Sequence, residues 1–217
     1  MELDNHADAY LLSERELKVL LAGTEHTSVF GMLTEQSAED REKKNDVYQT
    51  LFDMMRLNKI RSDGDAFSIA EPLRSFVRQI GAADTVLLIE TAEGESPLCC
   101  YVGDSLTVCS HVAHQPEMLR IRSATSEALI GEIMEALDAE AGESDDLSAE
   151  GLWQDSVRLL FSMTVYRGQR FELKLRVTRS PLSPVELETE QADHTVSVSP
   201  YQRDSFVNLL RFYLKRQ

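Results

Sequence analysis

Two alternating runs joined by a glycine constrain this chain most. Val157, Leu159, Phe161, Met163 and Val165 alternate with mostly polar neighbours, and Gly168 follows. Phe171, Leu173, Leu175 and Val177 then alternate with Arg170, Glu172, Lys174 and Arg176. A period of two puts successive side chains on opposite faces, so the pair predicts an antiparallel hairpin with one dry and one wet face. Such a hairpin must lay its dry face on something, and the rest of the chain supplies more strands and several helices.

Thr85–Arg122 predicts a β-meander. Val86-Leu87-Leu88-Ile89 is an unbroken apolar run, expected to be covered on both faces. Leu98–Val102 and Leu106–Val112 flank Gly103-Asp104, and Met118–Arg122 alternates. Ser123–Leu137 carries Leu129, Ile130, Ile133, Met134 and Leu137 at helical spacing. Asp138–Glu150 is acidic, with Gly and Ser, and predicts a linker loop. Pro181 and Pro184 break the chain after the late hairpin, Val196 and Val198 form a short strand, and Pro200 opens a final helix over Tyr201–Lys215. The segments Met118–Leu137 and Thr195–Leu214 match in apolar pattern, Leu119 with Val196, Ile121 with Val198, Leu129 with Phe206 and Ile133 with Leu210. Either a duplication or two ordinary strand-to-helix units of one period would produce that match.

The first eighty residues read differently. Ser13-Glu14-Arg15-Glu16 is a capping box opening a short helix with Leu17, Leu20 and Leu21 on one face, ended by Gly23. A second helix is expected over Thr27–Leu33. A third carries Val47, Leu51, Met54 and Met55 at helical spacing, widened by Tyr48 and Phe52. Asn58–Ile69 predicts a hairpin turning on Asp63-Gly64, with Ile60 opposite Phe67. A helix over Glu71–Ile80 follows, with Pro72 at an early position. On Val47–Met55, Asn58-Lys59-Ile60 and Asp63–Phe67, residues 10–80 resemble a winged helix-turn-helix domain. That resemblance implies a nucleic-acid surface at Lys43, Lys44, Gln49, Lys59 and Arg61. Glu39, Asp40, Glu42, Asp46 and Asp53 interleave with these cations, so a solvated helix face is the competing reading.

Charge bears on partners. The whole chain is −15; residues 81–150 hold 2 basic and 15 acidic groups, and residues 151–217 hold 10 and 7. The middle block repels phosphate backbones, which makes nucleic acid an unfavoured partner. No apolar run reaches the ~18 residues a bilayer span needs. The opening Met1–Tyr10 is acidic and polar, unlike a secretory leader, and three cysteines make no disulfide framework, so a cytoplasmic location is expected.

Chemistry is sparse. With a two-residue turn at Gly103-Asp104, Leu98 opposes Cys109, and Cys100, Cys109 and His111 share a face with His114 beyond. Cys and His suit zinc, but no C-x-x-C pair is present, and apolar packing of free thiols is the stronger reading. There is no nucleophile elbow, phosphate loop or dinucleotide fingerprint, so neither catalysis nor a cofactor is expected. Asp145-Asp146 lies in the linker, where carboxylates cannot be held rigidly. Trp153, Leu160 and Tyr166 are candidates for anchoring a partner protein. Tyr166 and Leu160 fall on the polar face of the late strand, and Trp153 stands at the linker's end.

Taken whole, residues 10–217 resemble the EspG family, the cytosolic chaperones of type VII (ESX) secretion. The run Thr85–Leu137 and its echo Thr195–Leu214 carry the resemblance. It implies an α+β fold in two quasi-repeated halves, each an antiparallel sheet with a helix, which binds the helical tip of a secreted substrate. The expected plan is therefore a winged-helix-like part at 1–80, a meander and helix at 81–137, an acidic loop at 138–152 and a hairpin-plus-helix unit at 153–217, with 81–217 as one domain. The expected function is a non-enzymatic adaptor or chaperone. The alternative is a transcription regulator whose C-terminal part senses a ligand or dimerises.

Overall fold

Ser13 stops a strand and starts a helix. Its Oγ accepts from the Glu16 amide at 3.1 Å, and its own amide donates to Glu16 Oε2 at 2.8 Å, the reciprocal box that the sequence predicts. In this computed structural model, residues 9–23, 44–64, 66–91, 97–142, 157–180 and 184–215 are described. The elements run β1 (Tyr10–Ser13), α1 (Glu14–Ala22), α2 (Lys44–Arg56), β2 (Ile60–Asp63), β3 (Ala66–Ile69), α3 (Leu73–Ala82), β4 (Thr85–Thr91), β5 (Leu98–Val102), β6 (Leu106–Val112) and β7 (Gln115–Ala124). They continue as α4 (Ser126–Gly142), β8 (Arg158–Arg167), β9 (Arg170–Arg179), β10 (Glu186–Gln191), β11 (Val196–Pro200) and α5 (Arg203–Leu214). The chain is α+β, and most of it is one large antiparallel sheet. The helix expected over Thr27–Leu33 lies outside the described residues. Of the acidic loop expected over 138–152, residues 138–142 are instead the last turn of α4, which runs on past the Leu137 end of its apolar stripe, and 143–152 lie outside the described residues.

Nine strands form that sheet in the order β1-β7-β6-β5-β4-β8-β9-β10-β11, every neighbour antiparallel. Alternation along each inner strand feeds two separate cores. Val86, Cys99, Tyr101, Cys109, Leu119 and Ile121 point to one face, where α1, α2 and α3 pack through Leu17, Leu20, Met54, Phe76, Val77 and Ile80. Leu87, Ile89, Cys100, Val102 and Val108 point to the other, against α4 and α5. That second core continues under β8 and β9 through Phe161, Met163, Val165, Leu173, Leu175 and Val177. β4, β5 and the first half of β6 are thus buried on both faces, which explains their apolar runs, whereas β7 alternates, with Leu119 and Ile121 buried and Arg120 exposed. The part expected as a unit at 1–80 shares its core with β4–β7.

Several registers differ from the sequence reading. The β5–β6 connection spans Gly103 to Ser105, so Cys99 opposes Cys109 and Cys100 opposes Val108. One residue of slip turns a strand over. Cys99, Cys109 and His111 therefore share the α1–α3 face, and Cys100 faces the opposite core. The small hairpin turns one residue later than expected. Asp63 opposes Ala66, Ile60 opposes Ile69 and Gly64 takes φ +64°. Because that shift moves the pairing by two, Ile60, Phe67 and Ile69 stay on one face. Along α2, Met54 is buried and Leu51 and Met55 are half-buried, while Tyr48 and Phe52 are exposed. These two aromatics do not widen the buried stripe.

Candidate protein-binding face

The sheet face that carries α1–α3 over β4–β7 continues across β8–β11 without a helix among the described residues. Its floor there is built by register. Val86 of the first core opposes Tyr166, Leu88 opposes Thr164 and Glu90 opposes Ser162. Ser162 and Thr164 lie opposite Arg176 and Lys174, which lie opposite Glu188 and Glu190. Those glutamates in turn face Val198 and Val196. Opposite partners in antiparallel strands share a face, so all these side chains stand on it.

Two irregularities shape this floor. The ladder shifts between Val165 and Tyr166, so that Val165 opposes Leu173 but Tyr166 opposes Phe171. Glu172 is the extra residue of this bulge, and it turns Phe171 away from the core that Leu173 and Leu175 occupy. Phe171 meets Tyr166 edge-on at 6.4 Å and stacks on His194 at 5.9 Å with planes 8° apart. His194 Nδ1 sits 2.9 Å from Glu190 Oε1, and the Thr195 amide donates to Asp193 Oδ1 at 2.9 Å, holding that carboxyl below its ordinary range. The result is an aromatic row from β8 across β9 to the β10–β11 turn, and further along the same face stands the Arg176–Glu188 ion pair at 2.7 Å. The second irregularity lies between Leu159 and Phe161. It sends Leu160 into the core at 2% exposure and leaves Leu159 on the open face at 39%.

Of the predicted anchors, Tyr166 stands half-buried on the open face. Leu160 offers no surface to a partner, because the bulge buries it. Trp153 lies outside the described residues. Phe171 and His194 escaped the sequence reading. Strict alternation assigns Phe171 to the dry face, and no local signal marks the bulge.

Of the residues expected to form a nucleic-acid surface, Lys59 and Gln49 are engaged within the chain. Lys59 Nζ donates to both Glu16 carboxylate oxygens at 2.7 and 2.8 Å, with both side chains largely buried. Gln49 Nε2 donates to Asp53. Arg61 is exposed, Lys44 begins α2, and Lys43 lies outside the described residues. Beside the exposed Arg56 and Arg61, α2, the turn after it and the small hairpin display the apolar side chains Tyr48, Phe52, Leu57 and Phe67.

The thiols are packing groups. None of the three cysteines is in a disulfide and all are buried, and burial pushes the Cys100 and Cys109 thiols well above their ordinary range. No group of three or more His, Cys, Asp or Glu able to hold a metal occurs among the described residues. A cavity of about 280 Å3 opens where β4 and β8 meet α5, lined by Asp84, Thr85, Arg167, Phe212, Tyr213 and Lys215 among others. Arg167 pairs with Glu172 at 3.0 Å, and the lining holds no serine, cysteine or histidine. No helix among the described residues is long and apolar enough to cross a membrane. Neither a protein-family model nor a curated protein matches this chain.

Proposed function

We propose that this chain is a non-enzymatic cytoplasmic adaptor or chaperone that holds a helical surface of a partner protein on the open face of β8–β11. One observation carries the proposal. Among the described residues the same sheet face receives three helices over β4–β7 and none over β8–β11, so a partner helix there would dock as α1–α3 do. Tyr166 and Phe171 supply aromatic anchors of the kind enriched at binding hot spots, and Leu159, Val196 and Val198 add exposed apolar surface around a charged ladder. The EspG resemblance fits this reading. β4–β7 with α4 and β8–β11 with α5 correspond as the quasi-repeated halves of that family would, and a type VII secretion substrate would be the occupant.

The regulator alternative is the weaker one. Its hairpin cation Lys59 is neutralised by Glu16, and the helix beside it presents Tyr48 and Phe52. Parallel capture from host extract on the wild-type chain and on Phe171→Asp decides between the readings. The adaptor reading expects one protein retained by the wild type and lost with the variant, and no DNA retained at about 50 mM salt. Retention of DNA with a steep loss as salt rises, or a protein captured equally by both chains, would overturn it.

A further inference from the structure

Among the described residues the last strand ends the sheet with its hydrogen-bonding edge exposed, and the identity of the exposed groups can be derived. The Gln191 amide donates to the Thr195 carbonyl at 3.0 Å, one step beyond the Glu190–Val196 pair that ends the register. The Tyr201 amide donates to Val185 in the same phase, at 2.9 Å. In an antiparallel ladder the inward and outward backbone groups alternate. Ser197 and Ser199 therefore spend their N–H and C=O on β10. Val196 and Val198 direct theirs outward, and Pro200 directs outward a carbonyl alone, so its missing N–H costs nothing there. The same three residues oppose Glu190, Glu188 and Glu186, which puts their side chains on the open face. All five residues of the strand are exposed, Val196 at 54% and Val198 at 58%.

We infer that a second copy of this chain pairs with β11, antiparallel and about a two-fold axis through Val198. In that register Val198 exchanges N–H···O=C bonds with its counterpart, and each Val196 amide donates to the other copy's Pro200 carbonyl. Every outward N–H of both strands then has an acceptor. On the open face Val196 meets Pro200, Val198 meets Val198 and Pro200 meets Val196, an apolar seam. On the other face serine meets serine.

Charge permits the pairing. Val196 to Pro200 carry none, and the glutamate rows of the two β10 strands would stand about 14 Å apart at about 4.8 Å per strand. That exceeds the Debye length of about 8 Å at physiological salt. Of the usual guards of a single edge strand, β11 has no lysine and no inward charge; it is short and carries Pro200, but that proline sits at its end, where its carbonyl still accepts. The seam is small. Five residues a side bury on the order of a few hundred Å2, against about 800 Å2 per partner in a standard interface, so the dimer is weak and concentration-dependent. This inference concerns the sheet edge and stands apart from what occupies the open face.

The test is sedimentation of the full chain from about 10 µM to about 1 mM, with amide hydrogen exchange read at both ends of that range. The expected result is a dimer at the upper end, with the Val196 and Val198 amides slowed at least about tenfold relative to dilute protein. Ser197 and Ser199, bonded within the chain, should be protected throughout. Val198→Pro deletes an outward N–H and Val198→Lys places a guard charge on the edge; each should abolish dimerisation while Ser197 and Ser199 stay protected. A monomer across the whole range would overturn the inference. So would a dimer unaffected by both substitutions, or protection of Val196 and Val198 that appears only when another protein is added and so reports a strand from that protein.

Discussion

Glu16 does three jobs with one carboxylate. It accepts from Ser13 in the capping box, it neutralises Lys59, and it ties the first helix to the start of β2. Removing it leaves a largely buried ammonium unpaired, the costly half of breaking an ion pair. Glu16→Ala should lower unfolding stability by about 2 kcal/mol, more than the roughly 1 kcal/mol of a lost cap alone. Urea denaturation measures this, and Lys59→Met in the same background should restore part of the loss. The thiols give a second check at this scale. Cys99, Cys100 and Cys109 are buried, with the Cys100 and Cys109 thiols held protonated. The folded chain should therefore react with a thiol reagent at pH 8 far more slowly than the unfolded chain, which should yield all three. Fast labelling of the native protein would contradict the two-sided core.

At the scale of elements, the β8–β9 turn and the α4–α5 pair make the sharpest predictions. Gly168 and Gln169 both take positive φ, +52° and +65°, between Arg167 and Arg170. A side chain at Gly168 meets only ordinary contact with Asp84, so Gly168→Ala should cost about 1 kcal/mol through backbone strain alone, read by urea denaturation. Between the helices, Arg211 forks onto Glu127. That hydrogen bond lowers the Glu127 pKa from its ordinary 4.5. A lowered folded value means the stabilisation is present above the unfolded pKa and is lost as pH falls through the folded one. Wild type should therefore exceed Glu127→Gln in stability at pH 7, and the gap should close as pH drops below about 4.5. A gap unchanged between pH 7 and pH 3 would show that Arg211 contributes nothing there.

These elements also mark what sequence could carry. The capping box, β4 and the apolar stripes of α3 and α4 were legible because each is settled within a few residues. β10 was not. Glu186–Gln191 has one apolar residue, Leu187, and its glutamates Glu188 and Glu190 find Arg176 and Lys174 opposite only once the sheet is assembled. The face of Cys100 depended on one residue of turn length, and the face of Phe171 on a bulge with no local signature. In the candidate site Tyr166 was legible from its place among polar neighbours. Leu160 was misassigned because a second bulge buries it.

The whole molecule is a sheet with two cores on one face-pair and a single core beyond. Among the described residues, α4 and α5 cover one side of both meanders, whereas on the other side α1–α3 pack on the first meander and no helix packs on the second. That asymmetry, more than any single residue, is what the adaptor reading rests on, and its direct test is a photo-crosslinking phenylalanine analogue placed at Tyr166 in the native host, with Tyr48 as the comparison position. The account predicts one protein adduct at position 166 that maps to the apolar side of a helix and is absent at position 48. Adducts at position 48 alone, or none at either position, would contradict it.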